Sequence, residues 1–446
     1  MSAVVGIACW PVVQGLGDAA LAPLMAELSA CERLPAEAFR VQQALQFERL
    51  HAHLVAHSPF HRERLQQAGL ADRPLTLETL AELPVLERRT LQAAGERLFC
   101  SQVPPAHGPV RPIQTSGSSG VPVRVLRTAL NQLFWFAYTL REHQWWRRDV
   151  LRKFGVIRLG LPQERLEVDT WGPPVSLVCR SGPAIALAAE LGTVALADAL
   201  KAARPAYLLG YPTALQDLAR HFLAAGERLP GLLEMRAFGE TVTEQARRQV
   251  RQAFGCEIVD SYSCQEVGVI ALQCPVSGHY HVMAESLLVE VLNARGEACR
   301  PGEIGDVVIT DLHNFATPLV RYALGDQAEV AGPCACGRNL PTLRRILGRY
   351  RNMLVYPDGR RSWPRTGFES FPHTVPIVQH QYIQLSSSRI EVRLVVARPL
   401  DAAEEEVLRA GIQGNLGHPF DIAFRYFQGA IPRGANGKFE EFICTL

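Results

Sequence analysis

Between positions 115 and 122 the chain reads Thr115-Ser116-Gly117-Ser118-Ser119-Gly120-Val121-Pro122. Glycine lets backbone N–H groups come close to an anion and the hydroxyls add donors, so such a loop can wrap the phosphates of a nucleotide. The Gly-Lys-Ser/Thr ending of a Walker loop is missing, which disfavours an ordinary P-loop ATPase. A Gly/Ser run taken alone is a turn or a linker, so the loop gains meaning only from the segments downstream of it. Those are Phe238-Gly239-Glu240-Thr241, then Asp260-Ser261-Tyr262-Ser263-Cys264-Gln265-Glu266, then Arg321-Tyr322 leading to Gly325-Asp326, and near the C-terminus Gly434-Ala435-Asn436-Gly437-Lys438.

A second constellation consists of Cys274, His279, His281, Cys334 and Cys336. Cys334-Ala335-Cys336-Gly337 sets two thiolates on a tight knuckle, and three sulfurs with one imidazole make a closed tetrahedral set suited to structural Zn²⁺. Cys274, His281, Cys334 and Cys336 are the expected ligands, with buried free thiols as the alternative. Strand alternation would put His279 on the face of His281, but it is the weaker ligand candidate.

These residues need elements to hold them. Apolar residues recur at helical spacing over 35–71, and a helix starts near the charged run Glu87-Arg88-Arg89. An aromatic-rich helix is expected over 129–146, with Phe134, Trp135, Phe136 and Tyr138 available for core packing or for lining a pocket. Buried strands are expected at 153–159, 206–209, 235–238 and 257–261, with helices at 213–225 and 243–254 between them and an N-cap at Thr241. That alternation implies an α/β body with largely parallel sheets. From 280 to 330 the pattern turns to β. After a hinge at Gly348-Arg349-Tyr350-Arg351-Asn352, strands at 379–396, a helix at 402–415 and a strand at 420–427 form a small α+β unit. The expected division is 1–348, a large body of sheets flanked by helices with a β subdomain around 274–336, and 349–446, a small mobile C-terminal domain.

The 446 residues suffice for two or three domains, and 48% hydrophobic with 20% charged residues is ordinary for a globular protein. A net charge of +2 gives no general attraction to nucleic acid or to anionic lipid, so neither is an expected partner. The first thirty residues carry no Lys or Arg and are interrupted by Pro11, Gly15 and Gly17, unlike a signal peptide or a membrane span. Eleven cysteines without an export signal indicate free thiols or metal ligation in a reducing compartment, so a cytoplasmic location is expected.

In this order, the motifs resemble those of phenylacetate-coenzyme A ligase-like members of the adenylate-forming (acyl-adenylating ligase) superfamily, from about Pro35 to the C-terminus. By that resemblance Thr115, Ser116, Gly117, Ser118, Ser119 and Gly120 hold the β and γ phosphates of ATP, with Arg124 close behind. Gly239 and Glu240 lie beside adenine and Tyr262 stacks on it, Glu266 ligates Mg²⁺ at the α-phosphate, and Asp326 takes the ribose. Ser263 and Gln265 stand where the family has Gly and Thr, and Arg351-Asn352 where it has an aspartate pair. Arg349 contacts phosphate or ribose. Lys438 reaches between carboxylate and α-phosphate and stabilises the transition state. The acid would be held by Trp135, Phe136, Tyr138, Tyr211, Pro212 and Ser261, favouring an aromatic or apolar acid. Some relatives share the Cys, His and Cys-x-Cys pattern.

The activity this implies is ATP-dependent activation of a carboxylic acid through an acyl-adenylate, with pyrophosphate release. Acyl transfer to a thiol comes next, with coenzyme A as co-substrate, in a cleft closed by rotation of the small domain. Two alternatives stay open: transfer to an acyl carrier protein thiol or an amine, and a non-catalytic nucleotide- or acyl-binding protein. Retention of Glu266, Asp326 and Lys438 together speaks against the second. A homodimer is left open as well.

Overall fold

The computed structural model describes residues 9–114, 123–349, 352–364, 375–434 and 439–446. The chain divides into two compact units, Met1–Leu347 and Gly348–Leu446. The Thr115 to Gly120 loop, Arg351 and Lys438 lie outside the described residues.

A twelve-stranded sheet organises the first unit. Five strands, Ala184–Ala188, Phe154–Arg158, Tyr207–Gly210, Glu234–Ala237 and Ile258–Cys264, lie side by side and parallel in that order. Parallel neighbours need long crossovers, and the helices Thr193–Ala203, Pro212–Ala225 and Glu244–Phe254 lie between them along the chain. Leu196, Leu200, Leu215, Leu218 and Phe222 from these helices join Ile157, Ile185 and Leu208 from the strands in one core. The expectation of largely parallel sheets holds for this block alone. The edge strand Arg165–Val168 is antiparallel, and from Ile258–Cys264 onward the sheet continues through the antiparallel strands Gly268–Gln273 and Tyr280–Val282. Connections in that stretch are short, and short connections make hairpins.

The helical pattern expected over 35–71 is two helices, Ala36–His57 and Pro59–Gln67. Proline has no N–H to donate and biases the residue before it toward extended backbone. Ser58 accordingly sits at φ −115°, ψ 98°, and its side chain caps the second helix by accepting from His61 N. Helix Ala129–Trp145 opens with a capping box in which Thr128 and Asn131 exchange side-chain and backbone bonds. This helix packs Leu130, Leu133, Phe134 and Ala137 into the main core. The N-cap of Glu244–Phe254 is Thr243, whose side chain accepts from Ala246 N. Thr241 was expected there, but only an N-cap residue directly before the first turn can reach the free amides at N2 and N3.

The second unit has a four-stranded sheet in the order Asp421–Tyr426, Arg389–Val396, Ile377–Gln384, Phe442–Cys444. Helix Ala402–Leu416, with an Asp401/Glu404 capping box, contributes Leu408, Ile412 and Leu416 to a core with Ile390, Val392 and Leu394.

Candidate functional site

Ligands of open parallel sheets bind beyond the carboxyl ends of the strands. Gly210 pairs with Ala237, and Ala237 with Asp260, so the segments that leave these strands, Tyr211-Pro212, Phe238-Gly239-Glu240 and Ser261-Tyr262, emerge along one edge. Gly239 has φ +80°, a backbone that favours glycine. Glu240 accepts from Thr213 N (3.2 Å) and Thr213 Oγ1 (2.8 Å), which joins this segment to the start of helix Pro212–Ala225. The Tyr211 and Phe238 rings stand 4.6 Å apart.

The Tyr262 hydroxyl donates to Asp326 Oδ2 at 2.8 Å across 64 positions of sequence. Asp326 lies in strand Tyr322–Val330, whose first residue bridges to Leu86. That bridge delivers Arg88, whose Nη1 donates to Glu266 Oε1 (3.1 Å) and Tyr322 Oη (3.3 Å). The fold thus draws Tyr262, Glu266 and Asp326 into one neighbourhood, with Glu266 and Asp326 largely buried. Burial, and then the Glu266 charge, pushes the Cys264 thiol well above its ordinary pKa, so it stays protonated. Arg321 is spent elsewhere, on Glu290 (2.9 Å) and the Leu83 carbonyl (2.6 Å). Arg124 pairs with Glu96 at 2.7 Å on the surface. Arg349 ends strand Thr342–Arg349 and belongs to the second unit.

Beyond Glu266 lies a cavity with about 270 Å³ of open space, whose enclosed part has room for no more than about one water molecule. Its apolar walls are Phe134, Trp135, Val267, Gly268 and Val269. Its polar walls are Arg127, Asn131, Tyr138, Ser286, Asp311 and His313. Of the six residues expected to hold the acid, Trp135 and Tyr138 line this cavity, whereas Phe136, Tyr211, Pro212 and Ser261 do not. Phe136 packs against the main core, and Pro212 is the buried first residue of its helix. Arg88, Arg127, Asp311 and His313 escaped the sequence reading. A signal for Arg127 existed: strand Arg124–Thr128 alternates, and alternation puts Arg127 on the inward face with Val125.

Cys274, His281, Cys334 and Cys336 bring their donor atoms within 4.8 Å of one another. Cys274 Sγ and Cys334 Sγ are 3.7 Å apart, and His281 Nε2 and Cys336 Sγ 3.2 Å. Tetrahedral zinc with Zn–S of about 2.3 Å places sulfurs roughly 3.8 Å apart, so the donor set fits the ion. His281 Nδ1 faces the Leu340 carbonyl at 3.4 Å, which assigns it the proton and leaves Nε2 for a metal. His279 is outside the cluster.

Comparison with known proteins adds to this geometry. No family model matches the chain. A phenylacetate-coenzyme A ligase of Thermus thermophilus is 28% identical over 92% of this chain and 98% of that protein. The likeness to phenylacetate-coenzyme A ligases read from the motifs thus extends over nearly the whole chain. A second phenylacetate-coenzyme A ligase, of Pseudomonas putida, is 26% identical over 41% of this chain and 40% of its own. A solved 2-hydroxyisobutyryl-CoA ligase, in complex with 2-HIB-AMP, shares the fold at TM-score 0.71 and 18% identity, over 93% of this chain and 91% of that one. No helix among the described residues is long and apolar enough to cross a membrane.

Proposed function

We infer that the protein is an AMP-forming acid–coenzyme A ligase. A carboxylate oxygen of the acid attacks the α-phosphorus of ATP and pyrophosphate leaves; the thiol of coenzyme A then attacks the acyl carbon and AMP leaves. The observation that carries this reading is the Tyr262 hydroxyl on the Asp326 carboxylate, with Glu266 four residues further along the same strand and turn. In the proposed roles Asp326 accepts from the ribose, Tyr262 and the Gly239-Glu240 segment flank adenine, and Thr115 to Gly120 cradles the β and γ phosphates. Arg349 contacts phosphate or ribose. Glu266 would hold Mg²⁺, which neutralises phosphate charge as the bond to pyrophosphate breaks. Lys438, from the Gly348–Leu446 unit, supplies positive charge to the adenylation transition state. Arg88 holds the Glu266 carboxylate in place.

Zinc on Cys274, His281, Cys334 and Cys336 would be structural, since four protein donors leave no position for water. Eleven unpaired cysteines fit a reducing compartment such as the cytoplasm.

The test is acid-dependent pyrophosphate release over a carboxylate panel, followed by parallel addition of coenzyme A, amines and a carrier-protein thiol. The reading expects pyrophosphate with the acid alone and AMP with a thioester once coenzyme A is present. Amide or carrier-bound product with no coenzyme A thioester would reassign the acceptor. Nucleotide binding without acid-dependent pyrophosphate would leave a binding protein.

A further inference from the structure

The cavity beyond Glu266 has a hydrogen-bonding wall with a definite polarity. His313 Nε2 lies 2.9 Å from the Trp10 carbonyl, which can only accept, so Nε2 carries the proton. Burial holds this ring neutral, and Nδ1 is therefore a bare acceptor. Ser286 must donate to it, at 3.1 Å, and the Tyr138 hydroxyl in turn donates to Ser286 Oγ. Every proton of that relay is used within the wall.

Three groups on the cavity keep capacity to spare. Arg127 is 9% exposed, donates one hydrogen bond, to the Asn131 carbonyl at 3.2 Å, and has no carboxylate within ion-pair distance among the described residues. Asn131 spends Oδ1 on Thr128 N and Oγ1, both at 2.9 Å, and its amide NH₂ donates to no described residue. Asp311 is 2% exposed; its Oδ1 accepts from His313 N and Asn314 N, and its Oδ2 accepts nothing from the described residues. Buried polar groups left unmatched are costly. Gly268 makes room for the arrangement: a Cβ there would come 3.0 Å from Arg127 Nη2 and 3.1 Å from Trp135 Cε3, at a φ of +97° that a side chain rarely adopts.

We propose that the cavity recognises a hydroxyl group on the carboxylic acid substrate, which accepts from Arg127 or Asn131 and donates to Asp311. Only a group that both accepts and donates satisfies the unspent donors and the unspent acceptor together. A methyl group would leave all of them unpaired, and a second carboxylate would be opposed by Asp311. The enclosed space, no more than about one water molecule, matches a single oxygen. This rests on the reading of the protein as an acid-activating ligase, and it shifts the expected acid from an apolar one to a hydroxylated one.

The experiment compares matched acids: butyrate, its 2-, 3- and 4-hydroxy derivatives and succinate in one series, phenylacetate and 4-hydroxyphenylacetate in another. Acid-dependent pyrophosphate release and calorimetric binding of each acid are both measured. At least one hydroxylated acid should exceed its hydrogen analogue in kcat/KM or affinity by about tenfold or more, as for a site built to bond a substrate hydroxyl, and succinate should not. Arg127→Met should cut that preference at least about tenfold, and Arg127→Lys, which keeps the charge, should retain part of it. If no acid is turned over but the hydroxylated acid still binds with the stated preference, the cavity assignment stands and the ligase reading fails. If turnover occurs and every hydroxylated acid is equal to or worse than its analogue in the intact protein, the hydroxyl assignment is overturned and the ligase reading survives. The comparison in the unaltered protein decides the matter even if Arg127→Met does not fold.

Discussion

Asp326 accepts the Tyr262 hydroxyl at 2.8 Å, which orients the carboxylate proposed to take the ribose. Removing that hydroxyl while keeping the ring, Tyr262→Phe, should raise the KM for ATP by about tenfold and change kcat little, since a hydrogen bond to a charged group contributes roughly 1.5 kcal/mol. Asp326→Ala should raise it further, because the proposed ribose acceptor itself is gone. Glu266→Gln should instead depress kcat and demand more Mg²⁺; unchanged Mg²⁺ dependence in steady-state rates would remove the proposed metal role. Lys438→Ala should slow pyrophosphate release by at least about 10²-fold, yet spare thioester formation from supplied acyl-adenylate, because in the proposed role its charge acts on one transition state only. At this scale the sequence exposed Tyr262, Glu266 and Asp326 through the local motifs around them. Arg88 stayed hidden because its partner is remote in the chain: it meets Glu266 across 178 positions.

Elements carry the site by short-range devices that can be tested one at a time. The capping box at Thr128 fixes the start of the helix bearing Trp135 and Tyr138 and also spends the Asn131 carbonyl oxygen. Thr128→Ala should cost about 1 kcal/mol of unfolding free energy measured by chemical denaturation. The turn that brings Cys274 to His281 is closed by Gly278 N on the Cys274 carbonyl (2.9 Å) and Cys274 N on the His279 carbonyl (2.7 Å). The proposed zinc predicts about one ion per chain by elemental analysis. Cys334→Ser should release it and lower the melting temperature before it alters the kinetics of the folded fraction. A metal-free protein of full stability would reduce the cluster to buried thiols. Helices and parallel strands were legible because period and length mark them. The Ser58 break was missed and the Thr243 cap misplaced because a boundary depends on one residue's backbone rather than on a repeat.

Across the whole molecule, buried titrating groups set a pH response. Burial lowers His61 and His313 to about 3 and His107 to about 4, and pushes His143 well below its ordinary value. The unfolded chain takes up these protons near pH 6.5 while the folded chain refuses them, so this stability is present above pH 6.5 and lost as pH falls toward 3. Asp260 and Asp311, both raised to about 6 by burial, act in the opposite sense between about pH 4 and 6. Four histidines outweigh two aspartates, so unfolding free energy from urea titrations should fall between pH 7 and 4; a flat or rising profile would contradict these buried environments. The parallel block was legible from alternating strands and helices. The long antiparallel continuation was underweighted, since pairing between strands as distant as Tyr280–Val282 and Thr342–Arg349 leaves no local mark.

The central claim is that activation passes through an acyl-adenylate, and oxygen tracing tests it most directly. With the best acid of the panel labelled with ¹⁸O in its carboxylate, and with ATP, Mg²⁺ and coenzyme A, attack on the α-phosphorus leaves one carboxylate oxygen on the phosphate of AMP. The account predicts AMP carrying one ¹⁸O, in step with thioester formed. Label appearing in inorganic phosphate alongside ADP, or thioester formed with unlabelled AMP, would contradict it.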